Sequence, residues 1–397
     1  MERLAINGGS PVRTTPFPVW PVFGEEEELY ILDVVRSGKW GGTNRNKLPV
    51  FEEKFAAMHG AKHAVSVTNG TIGLTVALQA AGVKPGDEVI MPPYTFIATA
   101  SAALLFGAIP VFVDVEPDTL LLDLDKVEAA ITPRTKAIIA VHIAGAPVNM
   151  TRLNEIAAKH GLRVIEDAAQ GVGAAWDGRP VGALGDFGSF SFQSGKNVTA
   201  GEGGIILTND EELADIAWSL ANVGRIRQGA WYQHERVGWN LRMTEFQAAI
   251  LLAQLTRYDE QLQRRDRNAK LLTGLISEIG GFRTLKLDSR TTQHAHHLYM
   301  FGLTSEAADT IGKADFIRKV NAEGIPLLPG YVSLNRNRAV VAEIEKWTGE
   351  KRETSCPVSE RFDEREGLWL HQNVLLGTEQ DMHDIAQALG KVMNSYG

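Results

Sequence analysis

Residues 135–170 read TKAIIAVHIAGAPVNMTRLNEIAAKHGLRVIEDAAQ, and this stretch decides the fold. Its first part, TKAIIAVHIAG, is an almost unbroken apolar run. Then comes NMTRLNEIAAKHG, with Met150, Leu153, Ile156 and Ala157 at helical spacing and Gly161 as a stop. LRVIEDAA follows as a second apolar run. A strand that is apolar at successive positions has both faces covered, and two such strands joined by a helix make a parallel pair. Upstream the unit repeats. HAVSVTN (63–69) reads as a strand before a helix TIGLTVALQAAG, and DEVIMPP as a strand before a helix TFIATASAALLFG. IPVFVDV is a strand followed by the helix LDKVEAAI. The predicted class is α/β, with a mostly parallel central sheet flanked by helices. Such sheets hold ligands at the carboxyl ends of their strands.

Downstream the rhythm changes after Gly204. GGIILTND reads as a strand and turn, EELADIAWSLANVG (211–224) as a helix, and 225–240 as a polar and aromatic loop. From 245 to 280 the periodicity predicts one helix of about 36 residues, long enough to be a spine between two domains. Beyond it, short strands and helices mix, as in a smaller α+β domain. The expected division is a large domain over 1–260, opening with an arm at 1–25, and a small domain over 261–397.

The 397 residues are 44% hydrophobic and 22% charged, which excludes disorder, collagen and coiled coil. A net charge of -8 gives no footprint for nucleic acid. The single cysteine, Cys356, cannot form an intrachain disulfide and fits a reducing compartment such as the cytoplasm. No targeting segment is expected at the amino terminus. Residues 91–113 carry no charge, but Pro92, Pro93, Gly107 and Pro110 interrupt them, so a loop, a buried helix and a strand are expected there rather than a membrane span.

Four stretches carry candidate chemistry. Thr68-Asn69-Gly70-Thr71 joins a strand to a helix, where free amides and the positive helix end face an anion; an ordinary helix cap uses the same residues. Ile165-Glu166-Asp167 ends an apolar strand, where a carboxylate needs a partner: a cationic ring nitrogen is one, and a helix cap or a salt bridge is equally open. Lys196 lies in a loop rich in glycine and serine after the strand SFSF, and a desolvated lysine there can form a Schiff base. The loop is no Walker motif, since Gly188 stands too far before Gly195 and Asn197 follows the lysine. The Rossmann fingerprint fails at Trp176. The fourth stretch is His294, His296 and His297, whose spacing suits a surface or substrate-facing loop better than zinc. No metal site is expected. A phosphate turn, a strand-end carboxylate and a lysine 29 residues later, in that order, meet the needs of pyridoxal 5′-phosphate.

At this point the chain resembles the DegT/StrS family of sugar and aminocyclitol aminotransferases. The carriers are TNGT (68–71), VIMPPYTFIATA (89–100), VIEDAAQ (164–170), SFSFQSGKNVTAGEGG (189–204) and GWNLRMTEFQAA (238–249). The resemblance covers nearly the whole chain. It implies the aspartate-aminotransferase-like fold type I and a ping-pong transfer from L-glutamate or L-glutamine to a keto sugar or keto cyclitol. Residue by residue, it implies that Lys196 binds pyridoxal phosphate covalently and that Asp167 pairs with its ring nitrogen. Gln170 then sits near its 3-hydroxyl edge, and Phe96 stacks on its ring. Gly70, Thr71 and Ser191 hold its phosphate. A loop residue of a second subunit completes that cradle in a homodimer with shared sites. Asn240 is the choice here and Arg242 the competitor. Lysine at 196 argues against the dehydrating branch, which carries histidine.

The opening INGGSPVR, the SFQSGK loop and the LTRYDEQ segment look closer to members acting on cyclitols than to those acting on nucleotide-linked hexoses. A regulatory protein that keeps the cofactor without turnover is the alternative from another class. No DNA-binding segment supports it, and no nucleic-acid or membrane partner is expected.

Overall fold

The computed structural model describes residues 2–42, 44–352 and 354–396. Seven strands form the central sheet: β1 (His63–Val67), β2 (Glu88–Met91), β3 (Ile109–Phe112), β4 (Thr135–Val141), β5 (Arg163–Asp167), β6 (Phe187–Ser191) and β7 (Gly204–Thr208). Their spatial order is β1-β7-β6-β5-β4-β2-β3. Neighbouring strands from β6 to β3 pair in parallel, while β7 runs antiparallel to both β1 and β6. The sheet is therefore mostly parallel, as its apolar runs require. In β4 only Lys136 is exposed, because helices cover both faces. The reversal at β7 follows Gly201 and Gly203, whose φ angles of 79° and 152° turn the chain back beside the strand it has just left.

Connecting helices start and stop where their caps say. In α1 (Glu25–Ser37) four glutamates occupy the first turn. In α2 (Gly70–Ala80) the Asn69 side chain accepts the Ile72 amide at 3.0 Å. The uncharged stretch contains α3 (Ala98–Leu104), which leads to β3. The Asn149 side chain caps α4 (Met150–His160), and Gly161 closes it at φ 65°. α5 (Glu211–Ala221) packs on α2.

The 245–280 helix is a correction. The structure has α6 (Glu245–Thr256) and α7 (Tyr258–Ser277), broken at Arg257, where φ is -108° and ψ 0°. Arginine is a good helix former, so the periodicity does not mark the break. Tertiary contacts make it: the Arg257 guanidinium reaches back to Glu27 of α1 at 3.0 Å and to the Val22 carbonyl at 3.1 Å.

A second, three-stranded antiparallel sheet is built from β8 (Phe282–Thr284), β9 (Leu298–Leu303) and β10 (Gly367–His371), with β9 in the middle. With α7 and α8 (Glu379–Met393) it encloses its own apolar core around Leu272, Phe301, Leu370 and Leu389. No helix of the described residues is long and apolar enough to cross a membrane.

Candidate active site

The carboxyl ends of β1, β5 and β6 converge, as a parallel sheet dictates. They open onto a cavity of about 700 Å3. Six of the residues singled out from the sequence line it on the sheet side: Gly70, Thr71, Asp167, Gln170, Ser191 and Lys196. Phe96 lines it too and is 53% exposed, with its ring centroid 6.1 Å from that of Tyr331.

Successive residues of a strand point to opposite faces, which separates the two acids of β5. Glu166 faces away from the cavity and is fully buried. It accepts bonds from His142 Nε2 at 3.0 Å and from the amides of Gly182, Leu184 and Gly185 at 2.7–2.8 Å. Burial pushes its carboxyl up, but these donors hold it below the usual range. Asp167 faces the cavity. Burial dominates there and pushes its carboxyl up, opposed by the Thr99 hydroxyl at 2.8 Å and by the charge of Lys196. Thr99 is set in turn by Thr95, whose hydroxyl lies 3.0 Å away.

Lys196 is pushed down to about 8, first by desolvation, with Asp167 pulling the other way. Its loop is held by the Lys196 amide on the Gln193 carbonyl at 2.8 Å and by the Gly195 amide on the Gln193 side chain at 2.8 Å. The amino-terminal arm adds a strap: the Trp20 indole donates to the Ser194 carbonyl at 2.9 Å. Trp20 lies over the guanidinium of Arg265 at 5.4 Å, and Asn373 holds the Pro18 carbonyl at 2.7 Å.

Gly70 opens α2 where the helix meets β6. A Cβ there would stand 2.7 Å from the Cβ of Ser191, so no side chain fits. The same crossing brings the free first-turn amides of α2 and the Ser191 hydroxyl to one end of the cavity.

Gln170 is fixed on both sides. Its Oε1 accepts the Ala144 amide at 2.7 Å, and its Nε2 donates to the Tyr331 hydroxyl at 3.1 Å. Ala144 adopts φ 57° to make this contact, next to Gly145 at φ 98°. The Ile143–Gly145 turn also binds the His loop: Ala295 donates to the Gly145 carbonyl at 3.0 Å and His297 to the Ala144 carbonyl at 2.8 Å.

The three histidines part ways. His294 and His296 stack at 4.1 Å in a neighbouring cleft, where His296 Nε2 meets Asp266 at 3.1 Å. His297 alone lines the cavity, together with Trp369 and His371 at the end of β10. Thr99, Trp369 and His371 carry no sequence signal. Thr99 sits in an apolar helix, and GLWLH reads as an ordinary core strand.

Asn240 and Arg242 do not line their own chain's cavity. Asn240 is exposed. Arg242 is partly buried, and its Nη1 lacks a partner among the described residues. Burial, then the charges of Arg225 and Arg45, holds it below its usual value.

A cavity at the strand ends of a mostly parallel sheet, with a buried carboxylate at the end of β5 and a desolvated lysine in the loop after the neighbouring β6, belongs to the fold-type-I aminotransferase class. The comparisons agree with that geometry. The structure matches that of 3-amino-5-hydroxybenzoic acid synthase with a TM-score of 0.88 at 35% identity, covering 96% of this chain and 100% of that one. The aminotransferase from Psychrobacter cryohalolentis gives 0.88 at 32% identity, over 96% and 99%. Residues 21–390 match the model of the DegT/DnrJ/EryC1/StrS aminotransferase family, and the chain belongs to that family. It is an aminotransferase. Among curated relatives, the L-glutamine:2-deoxy-scyllo-inosose aminotransferase of Streptoalloteichus tenebrarius is 40% identical over 100% of this chain and 98% of its own. The 3-amino-5-hydroxybenzoate synthase of Amycolatopsis mediterranei is 38% identical over 94% and 96%.

Proposed function

We propose that this enzyme moves an amino group from L-glutamine to the ring ketone of a keto cyclitol, using pyridoxal 5′-phosphate. The observation that carries the reading is the meeting of Lys196, Asp167 and Gln170 in one cavity. Full-length similarity to the scyllo-inosose aminotransferase adds the substrate class.

The residues present fit the cofactor. A cradle that excludes a Cβ at Gly70 leaves room for a phosphate against the α2 amides, Thr71 and the Ser191 hydroxyl. Asp167, buried with its charge only partly compensated, suits a cationic ring nitrogen. Gln170 and Phe96, which also line the cavity, would meet the cofactor's 3-hydroxyl edge and its ring face. When bound, the cofactor supplies an electron sink for the carbon that carries the amino group. This chain's residues supply the rest. Near pH 8 the Lys196 Nζ exists in both protonation states, so it can take up and return a proton without a large penalty. The Asp167 carboxylate, oriented by Thr99, keeps a proton on the ring nitrogen.

The same proposal includes a homodimer in which Asn240 or Arg242 enters the partner's cavity. In support, both lie outside their own cavity, and Leu29, Leu32, Val35, Trp40 and Trp239 leave apolar surface exposed. It also includes a large unit over 1–260 and a small one over 261–397, supported by the seven-stranded sheet lying wholly before the boundary and the β8-β9-β10 sheet wholly after it; α7 straddles the boundary, and a small third sheet pairs 291–293 with 175–176 across it. A cytoplasmic location rests on the single cysteine.

The test is spectroscopic. Cofactor-loaded protein should lose its visible absorbance on addition of L-glutamine and regain it with a keto cyclitol. Protein that stays coloured with both L-glutamine and L-glutamate refutes the reading.

A further inference from the structure

The cofactor assignment gives no task to His297, which lines the cavity. His297 Nδ1 lies 3.1 Å from Asn197 Oδ1. Asn197 donates its own Nδ2 to the Ala295 carbonyl at 2.7 Å. A carbonyl only accepts, so the amide is turned with its oxygen toward the imidazole. That oxygen needs a proton, and Nδ1 must carry it. Burial, then the positive charge of Lys196 with further pressure from His371 and Arg265, keeps the ring neutral by holding it well below 6.5. A neutral imidazole with its proton on Nδ1 has a bare Nε2.

That Nε2 has no hydrogen-bond partner among the described residues. It is also not sealed in, unlike Nε2 of His59, because His297 borders the cavity. The backbone fixes the ring's position as well, through the His297 amide on the Ala144 carbonyl at 2.8 Å. The cavity thus presents one rigid, uncharged acceptor that must meet a donor from the ligand or lose its hydration uncompensated. It is too weak a base to strip an ammonium group. Its lone pair repels a carboxylate, so the acid group of the amino donor lies elsewhere. A hydroxyl of a polyol ring suits it.

We propose that His297 determines specificity for the ring ketone, its Nε2 accepting a hydrogen bond from one hydroxyl of the acceptor. The inference rests on the reading that the acceptor is a keto cyclitol. It adds that a polyhydroxylated ring is selected over the counterpart lacking that one hydroxyl, with Asn197 as the positioning residue that sets the tautomer.

Two measurements test it. In the first, protein carrying the amino form of the cofactor is mixed with an inosose or with analogues each lacking one hydroxyl. The recovery of visible absorbance is then followed. The wild type is expected to disfavour one deoxy analogue by at least about tenfold. In His297→Phe that ratio should fall to within about threefold, while the half-reaction with L-glutamine slows by a smaller factor than the half-reaction with the inosose. His297→Gln, which keeps a polar end, should restore part of the ratio. In the second, nitrogen NMR of the cofactor-free wild type should show the Nδ1-protonated tautomer of His297. A ratio preserved in both variants, an equal loss in the L-glutamine half-reaction, or an Nε2-protonated ring overturns the inference. Failure of the wild type with every ring ketone would instead remove the functional reading beneath it, and it shows without any variant.

Discussion

Asp167 and Lys196 were legible in the sequence because their types are out of place. A carboxylate at the end of an apolar strand and a lysine in a glycine-serine loop both need an explanation. Thr99 was not legible, since a threonine in a small-residue helix needs none, yet it holds Asp167. Thr99→Val keeps the shape and removes the donor. A hydrogen bond to a charged group contributes about 1.5–3 kcal/mol, which corresponds to roughly one to two pH units. Losing a bond to the charged form raises the carboxyl further, so the acid limb of kcat/KM should move to higher pH by about a unit. A pH-rate profile that does not move would exclude the coupling. Lys196→Ala should abolish transamination while the protein still folds and binds cofactor weakly, as read by turnover and by absorbance after dialysis.

Caps and glycines make an element's ends legible in the sequence; ends decided by partners elsewhere in the chain are not. Asn69, Asn149 and Gly161 bracket their helices locally. The break between α6 and α7 depends on Glu27, more than two hundred residues away in sequence. The apolar run of β7 looked like any buried strand, and its direction was set by the turn before it. Glu27, 10% exposed at its side chain, would lose its cationic partner in Arg257→Ala. Burial pushes that carboxyl up, and Arg257 is the first of the groups that pull it below its usual value. The substitution should reduce stability by about 1–3 kcal/mol in urea titration. Gly70→Ala tests the crossing of α2 over β6. A Cβ 2.7 Å from a neighbouring Cβ cannot be relieved by a rotamer change, so backbone must shift. Overpacking of this kind costs about 1–3 kcal/mol. Because the shifted backbone carries the proposed phosphate cradle, cofactor affinity should drop by roughly tenfold or more, by the same energy scale. Unchanged cofactor affinity would place the phosphate elsewhere.

Across the whole molecule, acid stability depends in part on a histidine outside the cavity, besides the buried His294 and His297, which burial also lowers. His59 is 1% exposed, stacked on Phe55 at 4.7 Å, with Nδ1 on the Val181 carbonyl at 2.8 Å. Desolvation lowers it to about 4. The unfolded chain binds that proton near 6.5, so the fold loses stability as pH falls from about 6.5 toward 4. The full difference is on the order of 3 kcal/mol at 1.36 kcal/mol per unit. Urea titrations at pH 7 and pH 4.5 should show this loss, and His59→Leu should remove most of that part of the slope. The α/β rhythm predicted the sheet and the side of it on which the cavity opens. It did not predict that β10, from the last tenth of the sequence, would bring Trp369 and His371 to the cavity.

The Trp20 strap has a practical consequence. Its indole holds a carbonyl 174 positions further along the chain, two residues before Lys196. Residues Gln193 to Gly195 are otherwise exposed. A protease that nicks the arm, or a fusion partner that pulls it aside, should therefore slow the enzyme without touching the cavity. Amide exchange at Gly195 and Lys196 should speed up in Trp20→Phe, while exchange in β4 and β5 stays as slow as before.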